Sequence, residues 1–240
     1  MTVAAHSIRR LPCLLVVLAA GCTSGHHAPA TSAAASHRAS PSAGATPVRA
    51  LAPQHPTATW QLLGWTFTTG QRTRKTLDAG KTISGTSHDQ LRQAAVVFSR
   101  PLVQPSCVVT AALILHVTGG RQLKDAELGV YPSDESNYLS SARVPNSQLD
   151  LSRLVDNRPR GYALTVHVGT LQIDVTDLYR TWAAGGPFPS NGASVDPTDP
   201  MAFIVRPPDG ADGDYDVLIS NDRNTLQLRV VERASCSQAG

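Results

Sequence analysis

From Trp60 onward the sequence is cut by Gly, Pro, Asn and Asp into short apolar runs rich in β-branched and aromatic side chains. Runs of that kind match the usual length of strands, and the residues between them are those that turns require. Strands are expected at Trp60 to Phe67, Gln93 to Ser99, Val108 to Thr118, Ala126 to Tyr131, Ala163 to Val168, Leu171 to Val175, Met201 to Val205, Asp216 to Ser220 and Leu226 to Val231. Two of them alternate cleanly: Leu113, Leu115 and Val117 share one face, as do Leu226, Leu228 and Val230. One helix interrupts the series, at Thr176 to Ala184. Thr176 is placed to cap it, Asp177 sits at the positive end of its dipole, and Gly185, Gly186 and Pro187 stop it. The fold class that follows is all-β, an antiparallel sandwich or barrel with one short helix near residues 176–184.

The N-terminal quarter has a different character. Arg9 and Arg10 precede an apolar stretch from Leu11 to Ala20, and small residues close it, as in an export signal. A membrane-spanning helix needs about 20 apolar residues, so this stretch is too short to serve as one. Leu18, Ala19, Ala20, Gly21 and Cys22 resemble the lipobox of bacterial lipoproteins, in which Cys22 receives lipid and becomes the first residue. The alternative is an ordinary secretory signal followed by an unrelated Cys. Acyl chains each contribute about 0.8 kcal/mol per buried methylene, and two or more hold a protein on a bilayer stably. From Thr23 to about Thr57 the residues are chiefly Ala, Ser, Pro, Thr and His, a composition that cannot bury enough apolar surface to offset its ordering entropy. The expected organisation is a signal peptide over 1–21, a disordered tether over 22–57 and a β-sandwich domain over 58–236. His26, His27, His37 and His55 are irregularly spaced in the tether and read as solvated linker residues.

Of four cysteines, Cys13 leaves with the signal and Cys22 is the lipidation candidate, so Cys107 and Cys236 remain. Outside the cytoplasm such a pair is expected to form a disulfide. Two unrelated thiols are the alternative.

The chain carries 21 Lys and Arg against 18 Asp and Glu, a formal +3. Loss of Arg9 and Arg10 with the leader lowers that to +1. Nucleic-acid binders concentrate a large positive surplus to neutralise phosphates, so nucleic acid is not an expected partner. No Gly-x-Ser-x-Gly elbow, His-Glu-x-x-His pair or phosphate loop occurs. No catalytic residue is assigned and the protein is expected not to be an enzyme. The densest acidic stretch is Asp209, Asp212, Asp214 and Asp216, with Gly210 and Gly213 between them. On an extended chain Asp212, Asp214 and Asp216 would share a face, and flexible oxygen-rich loops of this sort are where calcium binds. A solvated hairpin loop explains the same residues, so the expectation is no obligate cofactor, with calcium as the one candidate. For a sugar ligand the candidate residues are Tyr138 and Tyr162, in loop-like sequence beside Arg158 and Arg160. Trp182 and Tyr179, three apart on the helix, read as core.

Three segments carry a family resemblance. Ala95 to Val117, AVVFSRPLVQPSCVVTAALILHV, is similar to the part of DNRLRE-type domains in which one strand leads through a short loop into another. Leu171 to Trp182, LQIDVTDLYRTW, resembles that family's strand ending in Asp-Val-Thr before a short helix bearing a Trp. Val217 to Val231, VLISNDRNTLQLRVV, resembles its closing pair of strands. The resemblance covers roughly residues 66–233. It implies a β-jelly-roll module of the carbohydrate-binding kind, without catalysis of its own, attached to secreted or surface proteins.

The function expected from the sequence is thus a lipid-anchored protein on the outer side of a cell membrane, with a β-sandwich that binds a glycan of the cell envelope or surroundings. The alternative is a structural or protein-docking module with no sugar affinity.

Overall fold

The computed structural model describes residues 46–63, 67–69, 71–72, 75–82, 90–133, 148–150, 158–189 and 192–238. Cys22, Tyr138 and the leader lie outside them. No helix among the described residues is long and apolar enough to cross a membrane.

The chain forms an all-β, sandwich-like fold with one α-helix among the described residues. Its first half holds β1 (Val48–Ala50), β2 (Ala58–Leu63), β3 (Phe67–Thr69), β4 (Gln71–Arg72), β5 (Thr76–Thr82), β6 (Gln90–Phe98) and β7 (Val108–Arg121). The second half holds β8 (Leu128–Ser133), β9 (Gln148–Asp150), β10 (Gly161–Ala163), β11 (Gly169–Asp174), helix α1 (Thr176–Ala183), β12 (Met201–Arg206), β13 (Tyr215–Ser220) and β14 (Gln227–Arg233). Every strand pairing among the described residues is antiparallel. β7 is the spine. β11 runs along one of its edges, while β14 and then β13 lie in line along the other. From β13 the sheet continues through β5, β6, β12 and β8 to β10, and β10 returns beside β11. The closeness of that return shows at Gly161, where a Cβ would stand 2.7 Å from the carbonyl oxygen of Asp174 and 2.9 Å from Ile173. A sheet whose two ends meet in this way is strongly curled, and its inner face encloses the core.

Period-two alternation decides which side chains enter that core. Leu113, Leu115 and Val117 of β7 are fully buried there, with Leu171 and Ile173 of β11, Val217 and Ile219 of β13 and Leu228 of β14. β6 and β12 are buried on both faces. Ala94, Val96 and Phe98 turn inward while Ala95 and Val97 join Trp60, Leu62, Tyr131 and Ile204 in a second apolar cluster. That double burial is why these strands read in sequence as unbroken apolar runs.

Helix α1 closes one end of the core. Its start differs from expectation: the Asp174 carboxylate accepts the Thr176 N–H at 2.8 Å and the Thr176 hydroxyl at 2.5 Å, so Asp174 performs the capping. Thr176 is the first helical residue, and its hydroxyl also accepts the N–H of Ala111 on β7 at 2.9 Å. The Asp-Val-Thr triplet therefore fastens the helix to the spine. At the other end Gly185, with φ +79°, donates to Trp182 O, and Gly186 donates to Thr181 O. This is the paired closure that favours glycine in the left-handed region. Trp182 packs edge-on to Phe188 and Phe203, and Tyr179 is fully buried, both as expected of core residues.

Three expectations need correction. First, the segment assigned to the tether includes β1, which pairs with β14 in the register Arg49↔Glu232. The chain beyond it continues the contact through Leu51 and Gln54, so the folded unit begins near residue 45 rather than at 58. Main-chain pairing needs no apolar side chain, and all three β1 residues are exposed, which is why composition hid it. Second, Ala163 to Val168 is strand only through Ala163, and Leu164 and Val168 project outward. Third, β5 lies in a stretch with no strand expected. Leu77 and Ala79 face the core, and Gly80 sits so close to β13 that a Cβ would fall 2.4 Å from the carbonyl oxygen of Tyr215.

Candidate ligand groove

An open groove of about 430 Å³ lies where the chain enters β8, alongside β10 and the loop after β12. That volume falls in the usual range of small-molecule sites. Register aligns one row of residues that includes the lining residue Tyr162. Arg206 of β12 and Tyr162 of β10 both stand opposite Gly129 of β8, so the three form a row across neighbouring strands. The side-chain-free middle position matters: a Cβ at Gly129 would fall 2.8 Å from the Tyr131 ring and 2.9 Å from Pro159. The Tyr131 ring thereby lies flat under the Arg206 guanidinium, 4.1 Å from its carbon to the ring centre, a cation–π arrangement. Arg206 also donates to Asp209 at 2.8 Å. It is 5% exposed, so this ion pair is shielded on the arginine side, while the Asp209 carboxylate stays largely in solvent. Burial pushes the Tyr131 hydroxyl up to about 12, against the opposing pull of Arg206.

Four acidic residues line the groove: Asp125, Glu127, Asp209 and Asp212. Asp125 ends the tight turn Leu123–Asp125, and Glu127 precedes β8, where its carbonyl oxygen accepts the Tyr215 hydroxyl at 2.7 Å. Burial of that hydroxyl pushes it, too, up to about 12. Asp209 lies within, and Asp212 just after, a turn in which Ala211 N–H donates to Pro208 O, with Gly210 at φ +83°. Tyr162 is 51% exposed at the rim. The site thus combines carboxylate acceptors with one exposed aromatic face. Charge-assisted hydrogen bonds to ligand O–H and N–H groups, and stacking against the ring, are what it offers chemically.

The expected site residues are distributed as follows. Tyr162 lines the groove. Arg158 and Arg160 lie just before β10, outside the lining, and the Arg160 N–H donates to Val130 O. The four aspartates proposed for calcium are not brought together. Asp209 and Asp212 face the groove, whereas Asp214 takes two hydrogen bonds from the Arg121 guanidinium, at 3.0 and 2.7 Å, and Asp216 accepts the Arg121 N–H. Gly213, at φ +101°, breaks the extended geometry that would have aligned Asp212 with Asp214 and Asp216. Among the described residues no group of three or more His, Cys, Asp or Glu side chains converges to hold a metal. Cys107 and Cys236 are joined in a disulfide with their Cα atoms 5.9 Å apart.

Asp125, Glu127 and Arg206 were not singled out from sequence. Arg206 had one local sign, a charge ending the apolar run MAFIV; the two acids had none, because their role depends on β10 and the 208–212 loop coming beside them. The class these features define is a sandwich-like β domain bearing an open acidic groove. No protein-family model matches the chain, and no curated protein matches it in sequence.

Proposed function

We propose that this protein is an extracytoplasmic lipoprotein, anchored through Cys22, whose β domain is a non-catalytic module that binds a glycan in the groove beside Tyr162. The observation that carries the binding reading is a half-exposed tyrosine at the rim of a cavity lined with carboxylates. Sugars present apolar C–H faces edged with hydroxyl donors, and a ring next to acceptors answers both. The likeness of three segments to DNRLRE-type modules points the same way. The decisive experiment is a glycan array probed with the purified chain from residue 22, carrying Cys22→Ser, alongside its Tyr162→Ala variant. Binding in the parent and about tenfold weaker binding in the variant, on the order of 1.4 kcal/mol, are expected. A folded protein that binds no glycan at any concentration sinks the reading. Anchoring is checked separately by metabolic labelling with a lipid precursor, expected to be lost in Cys22→Ala; label retained there refutes lipidation at that residue.

The second reading, a protein-docking module without sugar affinity, has its own observation. Leu164 and Val168, on the segment following Tyr162, are 68% and 60% exposed, and exposed apolar groups of that size are used in protein contacts.

A further inference from the structure

We propose that the groove at the Cys107–Cys236 bridge is a thiol–disulfide exchange site, where a protein oxidant of the Cys-x-x-Cys kind closes the bridge on the folded domain through Cys236. Its setting is the extracytoplasmic one proposed above, where such oxidants work; it does not depend on the glycan reading. This groove, of about 370 Å³, is separate from the one beside Tyr162 and is lined by both cysteines together with Leu102, Gln104, Glu232 and Ser235. Exchange requires a sulfur of the reagent to reach a sulfur of the protein. A bridge sealed in the core therefore closes only while the chain is still open, whereas one in a groove wall stays within reach after folding. Leu102, 67% exposed at the same groove, gives a protein reagent an apolar contact.

The two cysteines are held differently. Cys107 is 8% exposed, belongs to the main core cluster and ends the turn that opens β7, its N–H donating to Gln104 O at 2.9 Å. Cys236 is only partly buried and sits on the turn Ala234–Gln238 that follows β14. Among the described residues that turn is tied to β1 by the bridge's near neighbour Ala234, whose N–H donates to Pro47 O at 2.9 Å. With the bridge open, Cys236 is free to move toward the groove mouth while Cys107 stays fixed at the start of the spine. Cys236 is therefore the cysteine that meets the oxidant, and Cys107 the one that completes the exchange. In the first step the Cys236 thiolate attacks one sulfur of the oxidant's disulfide; a mixed disulfide forms, the oxidant's own S–S bond breaks, and its second sulfur leaves as a thiolate. In the second step the Cys107 thiolate attacks Cys236 Sγ, the mixed disulfide breaks, and the oxidant departs with both sulfurs reduced. Two electrons pass from the cysteine pair to the oxidant, and the pair's two protons end on the oxidant's two thiols.

The test uses the chain from residue 22 carrying Cys22→Ser, in which Cys107 and Cys236 are the only cysteines. After reduction the protein is expected to keep its sheet by circular dichroism. Two probes, glutathione disulfide and an oxidised Cys-x-x-Cys oxidoreductase, are each expected to restore the bridge in native buffer, without denaturant. In single variants, Cys107→Ser is expected to take up glutathione at Cys236 at least about tenfold faster than Cys236→Ser takes it up at Cys107, read by mass spectrometry, because access sets the rate. A reduced chain or single variant that has lost its sheet, or a bridge that re-forms only in urea, overturns closure on the folded domain. Equal uptake by the two folded single variants overturns the assignment of Cys236. Closure by glutathione disulfide but not by the oxidoreductase overturns the groove as a site for a protein oxidant. None of these outcomes bears on glycan binding, which the array measures separately.

Discussion

Asp78 shows how the fold resets a single side chain. Burial on the sheet surface raises its pKa, and the neighbouring Arg92, with Nε 3.2 Å from the carboxylate, opposes that shift only in part. Asp216 shares the same guanidinium at 3.6 Å and adds like charge. Next to it, the Gln61 side-chain amide accepts the Asp78 N–H at 2.6 Å and donates to Asp78 O at 2.7 Å, so a glutamine takes the place of a pairing strand. A carboxylate whose folded pKa lies above its unfolded value favours the folded state below the ordinary value of 3.8. That contribution is lost as pH rises through the raised value. Asp78→Asn keeps the group neutral throughout. Its thermal stability relative to the parent is therefore expected to improve as pH rises from about 3.8 through the raised value and to level off above it. Melting curves at a series of pH values check this; a constant difference between the two proteins would mean that Asp78 titrates alike in both states.

At the scale of elements, the helix and the first strand make opposite cases. Helix α1 was legible because its signals are local: an acid two residues ahead of the first turn, an apolar side, two glycines and a proline after the last. Strand β1 has no local signal, since its three side chains are exposed and its partner lies some 180 residues away. Its contribution is main-chain. Leu51 N–H donates to Val230 O, and Gln54 exchanges hydrogen bonds with Leu228. Arg49 holds the buried Glu232 through Nε and Nη2, at 3.0 and 2.6 Å. A chain starting at residue 58 loses all of these and leaves β14 an open edge. At about 0.5–1.5 kcal/mol net for each hydrogen bond, offset by the chain entropy regained, truncation to 58 is expected to cost about 2–4 kcal/mol relative to truncation at 45. Urea unfolding of the two proteins measures it, and equal midpoints would show β1 to be dispensable.

For the molecule as a whole, the Cys107–Cys236 bridge ties the turn that opens the spine strand to the turn that follows the last strand, across 129 residues of sequence. Closing a loop of that length lowers the entropy of the unfolded chain enough to stabilise the fold by about 5 kcal/mol in the chain-entropy model. The Cys107→Ala, Cys236→Ala double variant is expected to lose an amount of that order in denaturant titration, with the native sheet still formed. A loss below about 1 kcal/mol would show that the unfolded chain is already restricted in other ways.

The sequence by itself determined the strand character of β2, β6, β7, β8 and β11 to β14, the position of the helix, the core role of Trp182 and the cysteine pair available for bonding. Each is written in periodicity, capping or composition, which act within a few residues. Only the tertiary structure decided that residues 48–50 are a sheet edge, that Asp214 and Asp216 answer to Arg121, and that Asp125, Glu127, Tyr162 and Asp212 meet around one cavity. The physical reason is that a strand edge and a groove wall are made by main chain and side chains brought together from distant segments by the curl of the sheet. Such a meeting leaves no pattern in any one segment.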